Sequence, residues 1–113
     1  MKRNNHLTRT KEFTRVKEKG KSRHHKLIIL EFIPNNLDFS RAAFVASKTV
    51  GNAVTRNLIK RRMKACMANY WSNVKSGWDL VFYARNASTK ASYNELQVAI
   101  SELLSKAGLI IEK

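Results

Sequence analysis

Hydrophobic residues occur at helical spacing in three parts of the chain. In the first part, Phe13 and Val16 lie three residues apart and share one face of a short helix predicted over residues 11–19. Thr10 is a candidate N-cap for this helix, and Gly20 is expected to end it. The pattern therefore predicts one short helix near the beginning of the sequence.

Two longer helices are predicted further along the chain. Gly51 precedes the second, which we expect over residues 52–70, and Gly108 follows the third. The third begins at Ser92-Tyr93-Asn94-Glu95, a capping box in which the serine and glutamate side chains accept from each other's backbone N–H groups. The apolar stripe of the second helix is formed by Ile59, Met63, Cys66 and Tyr70, and that of the third by Leu96, Ile100, Leu103 and Ala107.

Three apolar runs are typical of buried strands rather than helices. Residues 27–33 are rich in isoleucine and are closed by Pro34-Asn35-Asn36, while residues 42–47 and 79–84 form shorter runs. The order helix, two strands, helix, strand, helix indicates an α+β fold in which helices pack against a small sheet. Because no linker interrupts the pattern, residues 1–113 are predicted to form one domain, with residues 1–8 as a flexible basic tail.

The charge of the chain is strongly unbalanced. Among 113 residues there are 22 Lys and Arg against 8 Asp and Glu, which gives a formal net charge of +14. A small folded domain repels itself at such a charge, so a polyanionic partner is expected, with nucleic acid as the first candidate and an anionic membrane surface as the second. The cations are concentrated at the N-terminus and between Phe39 and Trp78, where no acidic residue occurs.

One side of the second predicted helix collects these central cations. Arg56, Lys60 and Lys64 follow each other at steps of four residues, with Asn57 and Arg61 beside them. Like charges at this spacing destabilise an isolated helix, and no acidic residue in the segment offsets them. Phosphate groups of a nucleic acid would do so, and the asparagine adds a side chain that bonds to phosphate, ribose or base edges. A solvated polar face is the simpler interpretation, but the absence of acids favours RNA.

Other classes of function find little support in the sequence. No apolar run approaches the roughly 20 residues that span a bilayer, and no signal peptide is evident. The single cysteine, Cys66, indicates a reducing, cytoplasmic setting and is expected in the core. No His/Cys cluster has the spacing of a metal site, and the few carboxylates form no evident pair for phosphodiester cleavage. His24 and His25 are expected on an exposed loop or edge. We therefore predict neither catalytic residues nor a metal site on the protein.

The segment from Ser47 to Arg62, Ser-Lys-Thr-Val-Gly-Asn-Ala-Val-Thr-Arg-Asn-Leu-Ile-Lys-Arg-Arg, resembles the signature of the bacterial ribonuclease P protein component. The flanking segments are similar as well: Glu12 to Val16 resembles the first helix of that family, and Asp79 to Arg85, followed by Ser92 to Leu96, resembles its last strand and helix. Nearly the whole chain is covered by the resemblance. It implies a four-stranded sheet with three helices and an unusual left-handed βαβ crossover through the central helix.

The resemblance also implies a role in maturing the 5′ end of tRNA. In that family the RNA subunit is the catalyst and binds the Mg²⁺, while the protein binds that RNA and the 5′ leader of precursor tRNA. No membrane and no obligate protein partner are expected. The residues then expected to bind the RNA subunit are Lys48, Arg56, Asn57, Lys60, Arg61, Arg62 and Lys64. Those expected to bind the leader are Phe13, Lys17, Phe32, Arg41 and Phe44, although alternation alone leaves Phe32 and Phe44 between the cleft and the core.

The sequence departs from the family pattern at three positions. Leu58 stands where a second arginine is usual, and Arg62, one turn later, occupies a position where apolar residues are common, so it can restore the missing cation. Lys17 replaces a frequent aromatic residue. Composition alone would also fit a basic ribosomal or general RNA-binding protein without a role in cleavage. A stand-alone nuclease is disfavoured by the scarcity of carboxylates.

Overall fold

The computed structural model describes residues 1 and 5–111 and confirms the α+β prediction. Three helices accompany a single four-stranded sheet. The elements in chain order are α1 (Thr10–Lys19), β1 (Lys21–His24), β2 (Ile28–Pro34), β3 (Arg41–Val45), α2 (Ala53–Ala68), β4 (Trp78–Ala84) and α3 (Tyr93–Ala107).

The strands lie in the order β1-β2-β4-β3. β1 pairs with β2, and β2 with β4, in antiparallel orientation, whereas β3 and β4 are parallel. Parallel strands need a crossover connection, and α2 provides it. The βαβ crossover implied by the resemblance is therefore present, and its left-handedness stays a prediction. β3 lies at one edge of the sheet, and its outer side is bridged at Ala42 by His6 and is open beyond that point within residues 1 and 5–111.

The two faces of the sheet are covered differently. α1 lies on one face, where Val16 packs with Leu7, Ala43 and Val81 in a small buried cluster. α2 and α3 cover the other face and enclose the larger core. Its largest fully buried side chains are Phe82, Ile28, Leu30, Ile59, Met63, Met67, Leu80, Leu96, Ile100, Leu103, Leu104 and Leu109. Cys66 is fully buried among them, as predicted, and burial raises the pKa of its thiol.

The helix ends follow local chemistry. Ser92 and Glu95 form the predicted capping box of α3, and Gly108 ends it in the left-handed conformation with φ 72°. The Asn52 side chain caps α2 by accepting from the Thr55 N–H. The predicted cap of α1 is wrong: Thr10 is its first residue, and Arg9 is the N-cap, whose N–H donates to Glu12.

Two parts of the chain differ from the sequence prediction. β1 was not predicted, because its sequence Lys-Ser-Arg-His is polar and mostly exposed at the edge of the sheet. The segment expected as a flexible tail also contacts the sheet over the part that the structure describes. His6 forms a parallel bridge with Ala42, the Leu7 N–H donates to the Ala42 carbonyl, and Leu7 is buried. Residues 2–4 of that predicted tail lie outside the described residues.

Candidate nucleic-acid interface

A groove of about 290 Å³ runs along the open edge of β3, between α1 and α2. Side chains of β3 alternate between the two faces of the sheet, so the edge presents both Ala43, on the α1 side, and Phe44, on the α2 side. The groove is lined by His6, Leu7, Phe13, Ala42, Ala43, Phe44, Lys60, Arg61 and Lys64. It therefore brings together residues from four separate segments.

The floor and one wall of the groove carry flat apolar surfaces. Phe13 projects from α1 and packs, half-buried, against the small cluster under that helix. The Phe44 ring stacks on Phe82, with centroids 5.5 Å apart and planes inclined by 13°. Because Phe82 is fully buried, it fixes the orientation of the Phe44 ring, which stays partly exposed in the groove.

The opposite wall is cationic. Lys60, Arg61 and Lys64 of α2 line the groove, and a second hollow of about 540 Å³ continues from Lys60 and Arg61 to Asn57 and Val54. Over residues 1 and 5–111, the salt bridges involve Arg15, Arg41 and His25, and no cation of α2 takes part in one.

The remaining residues of the predicted RNA-binding set do not all share this surface. Arg56 is half-buried on α2 and Asn57 is exposed, both on the side of the helix that carries Lys60 and Lys64. Arg62 is half-buried on the other flank of α2, and Lys48 lies apart from the helix, exposed at the start of the 3₁₀ turn Lys48–Val50 that follows β3. We call the set Arg56, Asn57, Lys60, Arg61 and Lys64 the α2 face.

Phe32 does not line the groove, contrary to one of the two alternatives the sequence left open. It lies on β2, separated from β3 by β4, and is only 3% exposed. Its ring centroid is 5.9 Å from that of Trp78, and the Arg23 guanidinium lies 5.5 Å from it. Phe32 is thus a core residue, whereas Phe44 combines core packing with an exposed edge.

Arg41 is also placed differently from the prediction. Its Nε donates to Asp79 Oδ1 at 2.9 Å and its Nη2 to Asp79 Oδ2 at 2.8 Å, while Nη1 bonds to the Glu12 carboxylate. Hydrogen bonding to Asp79 raises the pKa of Arg41 further above its ordinary value. Burial alone would raise the pKa of Glu12, but the backbone N–H of Arg9, then Arg41 and the Thr8 N–H, hold it below its ordinary value. Arg41 therefore joins α1 to the sheet, and its donors are engaged within the protein.

Lys17 lies one turn beyond Phe13 on α1, outside the residues that line the groove. Its Nζ is 5.8 Å from the ring centroid of Tyr83 on β4. This is cation–π geometry. Lys17, the charged residue that stands in place of the family's aromatic residue, is thus paired with an aromatic ring from β4.

His6 is a groove residue that the sequence prediction assigned to the tail. Burial, and then the positive charges of Lys64 and the N-terminus, lower the pKa of its imidazole below the ordinary value. The neutral ring therefore predominates near neutral pH. The signal that could have placed it is Leu7, a lone apolar residue in a polar segment, which marks a buried anchor next to the histidine.

Groups with catalytic potential are few in the described part of the chain. His25 is half-buried on the β1–β2 loop, and its Nε2 lies 3.3 Å from Oε2 of Glu102 on α3. Over residues 1 and 5–111, no group of three or more His, Cys, Asp or Glu could hold a metal ion. None of the helices described there is long and apolar enough to cross a membrane.

An open sheet edge flanked by aromatic rings and by an acid-free cationic helix defines a nucleic-acid-binding class of small α+β domain. Comparison of the sequence with known families identifies one family within that class. The model of the ribonuclease P family matches residues 1–108, and the chain belongs to this family. The resemblance seen in the sequence is thereby confirmed, and family membership supports a subunit role in tRNA processing rather than a ribosomal one.

Individual relatives match this chain along nearly their whole length. The ribonuclease P protein component of Clostridium novyi is 40% identical over 111 residues, covering 96% of this chain and 98% of that protein. The corresponding protein of Alkaliphilus metalliredigens is 37% identical over 110 residues, covering 97% and 99%. The solved structure of the Staphylococcus aureus RNase P protein is 24% identical, with a TM-score of 0.87 over 94% of this chain and 97% of that one. This last likeness supports the fold.

Proposed function

We propose that the chain is the protein subunit of ribonuclease P, that its α2 face binds the RNA subunit, and that its groove holds the 5′ leader of precursor tRNA. The observation that carries this proposal is the groove itself, where Phe13 and Phe44 face Lys60, Arg61 and Lys64 across the open edge of β3. This combination of aromatic rings and cations fits single-stranded RNA. Flat rings accept unpaired bases, and cations neutralise the connecting phosphates.

The surface divides the two RNA contacts between different residues. Phe13 and Phe44 line the groove, whereas the α2 face continues beyond it to Asn57, beside Val54. A structured RNA presents mainly phosphates and riboses, which suits the exposed cations and the amide of Asn57. A leader of variable sequence requires contacts that do not read base edges, which suits Phe13 and Phe44.

Cleavage itself is assigned to the RNA subunit, in a cytoplasmic ribonucleoprotein. Mg²⁺ held by the RNA subunit, as the resemblance to the family implies, would activate the attacking water. What this chain's residues do is bind and orient. The groove restrains the leader, and the α2 face neutralises RNA phosphates that would otherwise repel each other and the substrate.

The test uses the holoenzyme, reconstituted from this chain and a bacterial ribonuclease P RNA. Phe13→Leu and Phe44→Leu keep apolar volume but remove the flat ring, and Tyr93→Leu on α3 is the matched aromatic control outside the groove. Affinities for precursor and mature tRNA are measured in Ca²⁺, which should support binding while slowing cleavage. We expect each groove variant to bind the precursor several-fold more weakly and mature tRNA equally well.

Two results would contradict the proposal. Equal losses for both substrates would show that the groove does not contact the leader. A chain that fails to raise precursor cleavage by the RNA in low Mg²⁺ would not be a functional subunit.

A further inference from the structure

The two walls of the groove differ in charge. Among the described residues that line it, every charged one belongs to α2. The α1 side is formed by Phe13 and Leu7, which are apolar, and by the ring of His6, which is neutral near neutral pH. Positive charge in the lining is therefore confined to one wall.

The arginines that connect α1 to the sheet do not add charge to the other wall, because acids neutralise them. Arg41, the first residue of β3, is held by Asp79 and by Glu12 of α1. Arg15 of α1 lies 3.4 Å from the same Asp79 carboxylate. The two cations and the two anions of this network cancel, so Arg41 brings no net charge to the groove, although Ala42, the next residue, lines it.

Glu12 decides whether this balance holds. Asp79 is fully buried and already accepts two hydrogen bonds from Arg41, whereas Glu12 is only partly buried and accepts the third. Without the charge of Glu12, two arginines would share the single carboxylate of Asp79. One uncompensated positive charge would then lie next to Phe13, on the wall opposite α2.

We propose that Glu12 is a specificity-determining residue, which neutralises Arg41 and so makes a bound strand turn its phosphates to α2 and its bases to Phe13 and Phe44. This inference rests on the proposed function, since the strand is the 5′ leader. Phosphates follow the nearest uncompensated cations, and an α1 side without net charge offers them no second position. Glu12 thus acts by excluding an alternative, in which the phosphates lie beside α1 and the bases lose their contact with the rings.

Glu12→Gln removes the charge and disturbs α1 little, because the glutamine carbonyl can still accept from the Thr8 and Arg9 N–H groups. The holoenzyme in Ca²⁺ binds a precursor tRNA whose leader carries 2-aminopurine between uridines. The fluorescence of this base falls when it stacks on an aromatic ring. Affinity, its salt dependence and this quenching are measured together.

We expect affinity and stacking to move in opposite directions in Glu12→Gln. The precursor should bind about two- to fivefold more tightly, which corresponds to one exposed ion pair. The salt slope of log K should become steeper by about 0.7, since one more phosphate is neutralised. Quenching should decrease, because part of the strand then turns its phosphates to Arg41. A residue that only anchored α1 would lose affinity when changed, so the gain separates the two roles.

Glu18→Gln is the matched control, since Glu18 is an exposed carboxylate on the same helix and its loss adds the same unit of net charge. It should match the wild type in affinity and in quenching. A Glu12→Gln protein that binds no more tightly, or that binds more tightly with unchanged quenching, would overturn the inference. If the wild type quenches the probe in either case, the groove proposal stands alone. If the wild type does not quench it and Phe13→Leu is silent, both proposals fail.

Discussion

Arg41 and Asp79 face each other across the parallel pair β3–β4 and are joined by two hydrogen bonds of 2.9 and 2.8 Å. Asp79 is fully buried and also accepts from Asn35 at 2.9 Å and from Arg15 of α1 at 3.4 Å. The same Arg41 bonds to Glu12. α1 is therefore anchored to the sheet through charges at two points, and this anchorage positions Phe13, one residue after Glu12, at the groove.

Arg41→Ala should destabilise the protein by about 3 kcal/mol or more, because it leaves the buried Asp79 carboxylate without its main partner. Urea denaturation measures the loss, and Arg61→Ala, an exposed cation with no ion pair among residues 1 and 5–111, should change stability by less than about 0.5 kcal/mol. Equal stabilities for the two variants would mean that the network contributes little.

The α2 face should make RNA-subunit binding strongly dependent on salt. If the four cations of the α2 face and Arg62 each neutralise one phosphate, log K should fall against log salt with a slope of about −3.5 to −4.5. Arg56→Ala combined with Lys60→Ala should reduce the steepness by about 1.4–1.8 while leaving the fold intact. Lys90→Ala with Lys106→Ala, two exposed lysines outside α2, is the control pair. A flat salt dependence would exclude electrostatic docking.

Arg62 should compensate for the arginine missing at position 58. Both side chains are half-buried, one turn apart on α2, so a cation from either position can reach the same neighbourhood. We expect Arg62→Ala to weaken assembly with the RNA subunit and Leu58→Arg in that background to restore much of the affinity. Assembly is measured by titrating labelled RNA with each variant. An Arg62→Ala protein with wild-type affinity would show that no compensation is needed.

His6 should couple RNA binding to protonation. The pKa of His6 in the free protein lies below its ordinary value because burial and then Lys64 disfavour the charged ring. Phosphates in the groove have the opposite effect and raise that pKa, so binding takes up a proton and affinity should increase as the pH falls from neutral through the raised pKa of the bound state. His6→Asn should weaken this dependence, measured with precursor tRNA, whereas His24→Asn on β1 should not. Identical pH profiles for wild type and His6→Asn would refute the coupling.

The helices and three of the four strands could be predicted because their apolar spacing is set by burial on one face. The capping box at Ser92 and Glu95 is a local signal and was confirmed. β1 has no such signal, since it is held by pairing with β2 rather than by burial of its own side chains. The cap of α1 was missed because Arg9 contributes a backbone N–H, which no side-chain pattern reveals.

The α2 face could be predicted because helical spacing fixes which residues share a side, and residues 53–68 do form a regular helix. The groove could be predicted only in part. Phe32 and Phe44 both alternate on the larger-core face of the sheet, and only strand order decides that Phe32 is covered while Phe44 reaches an edge. Arg41 was expected to bind an RNA phosphate, because its ion-pair partner Asp79 lies far away in sequence and could not be recognised as its partner. The spacing of apolar residues along the chain does not reveal an ion pair between residues so far apart in sequence.

The position of β4 between β2 and β3 has a consequence for the order of folding during synthesis. β4 is the last strand to leave the ribosome, yet it is the only one, within residues 1 and 5–111, that pairs with β3. Until residue 84 has emerged, β1 and β2 can form a hairpin, but β3 and α2 have no sheet to join. Non-local pairing of this kind delays folding until both partners are available. A nascent chain therefore has no groove until β4 has emerged, and its RNA-binding surface then forms in one step.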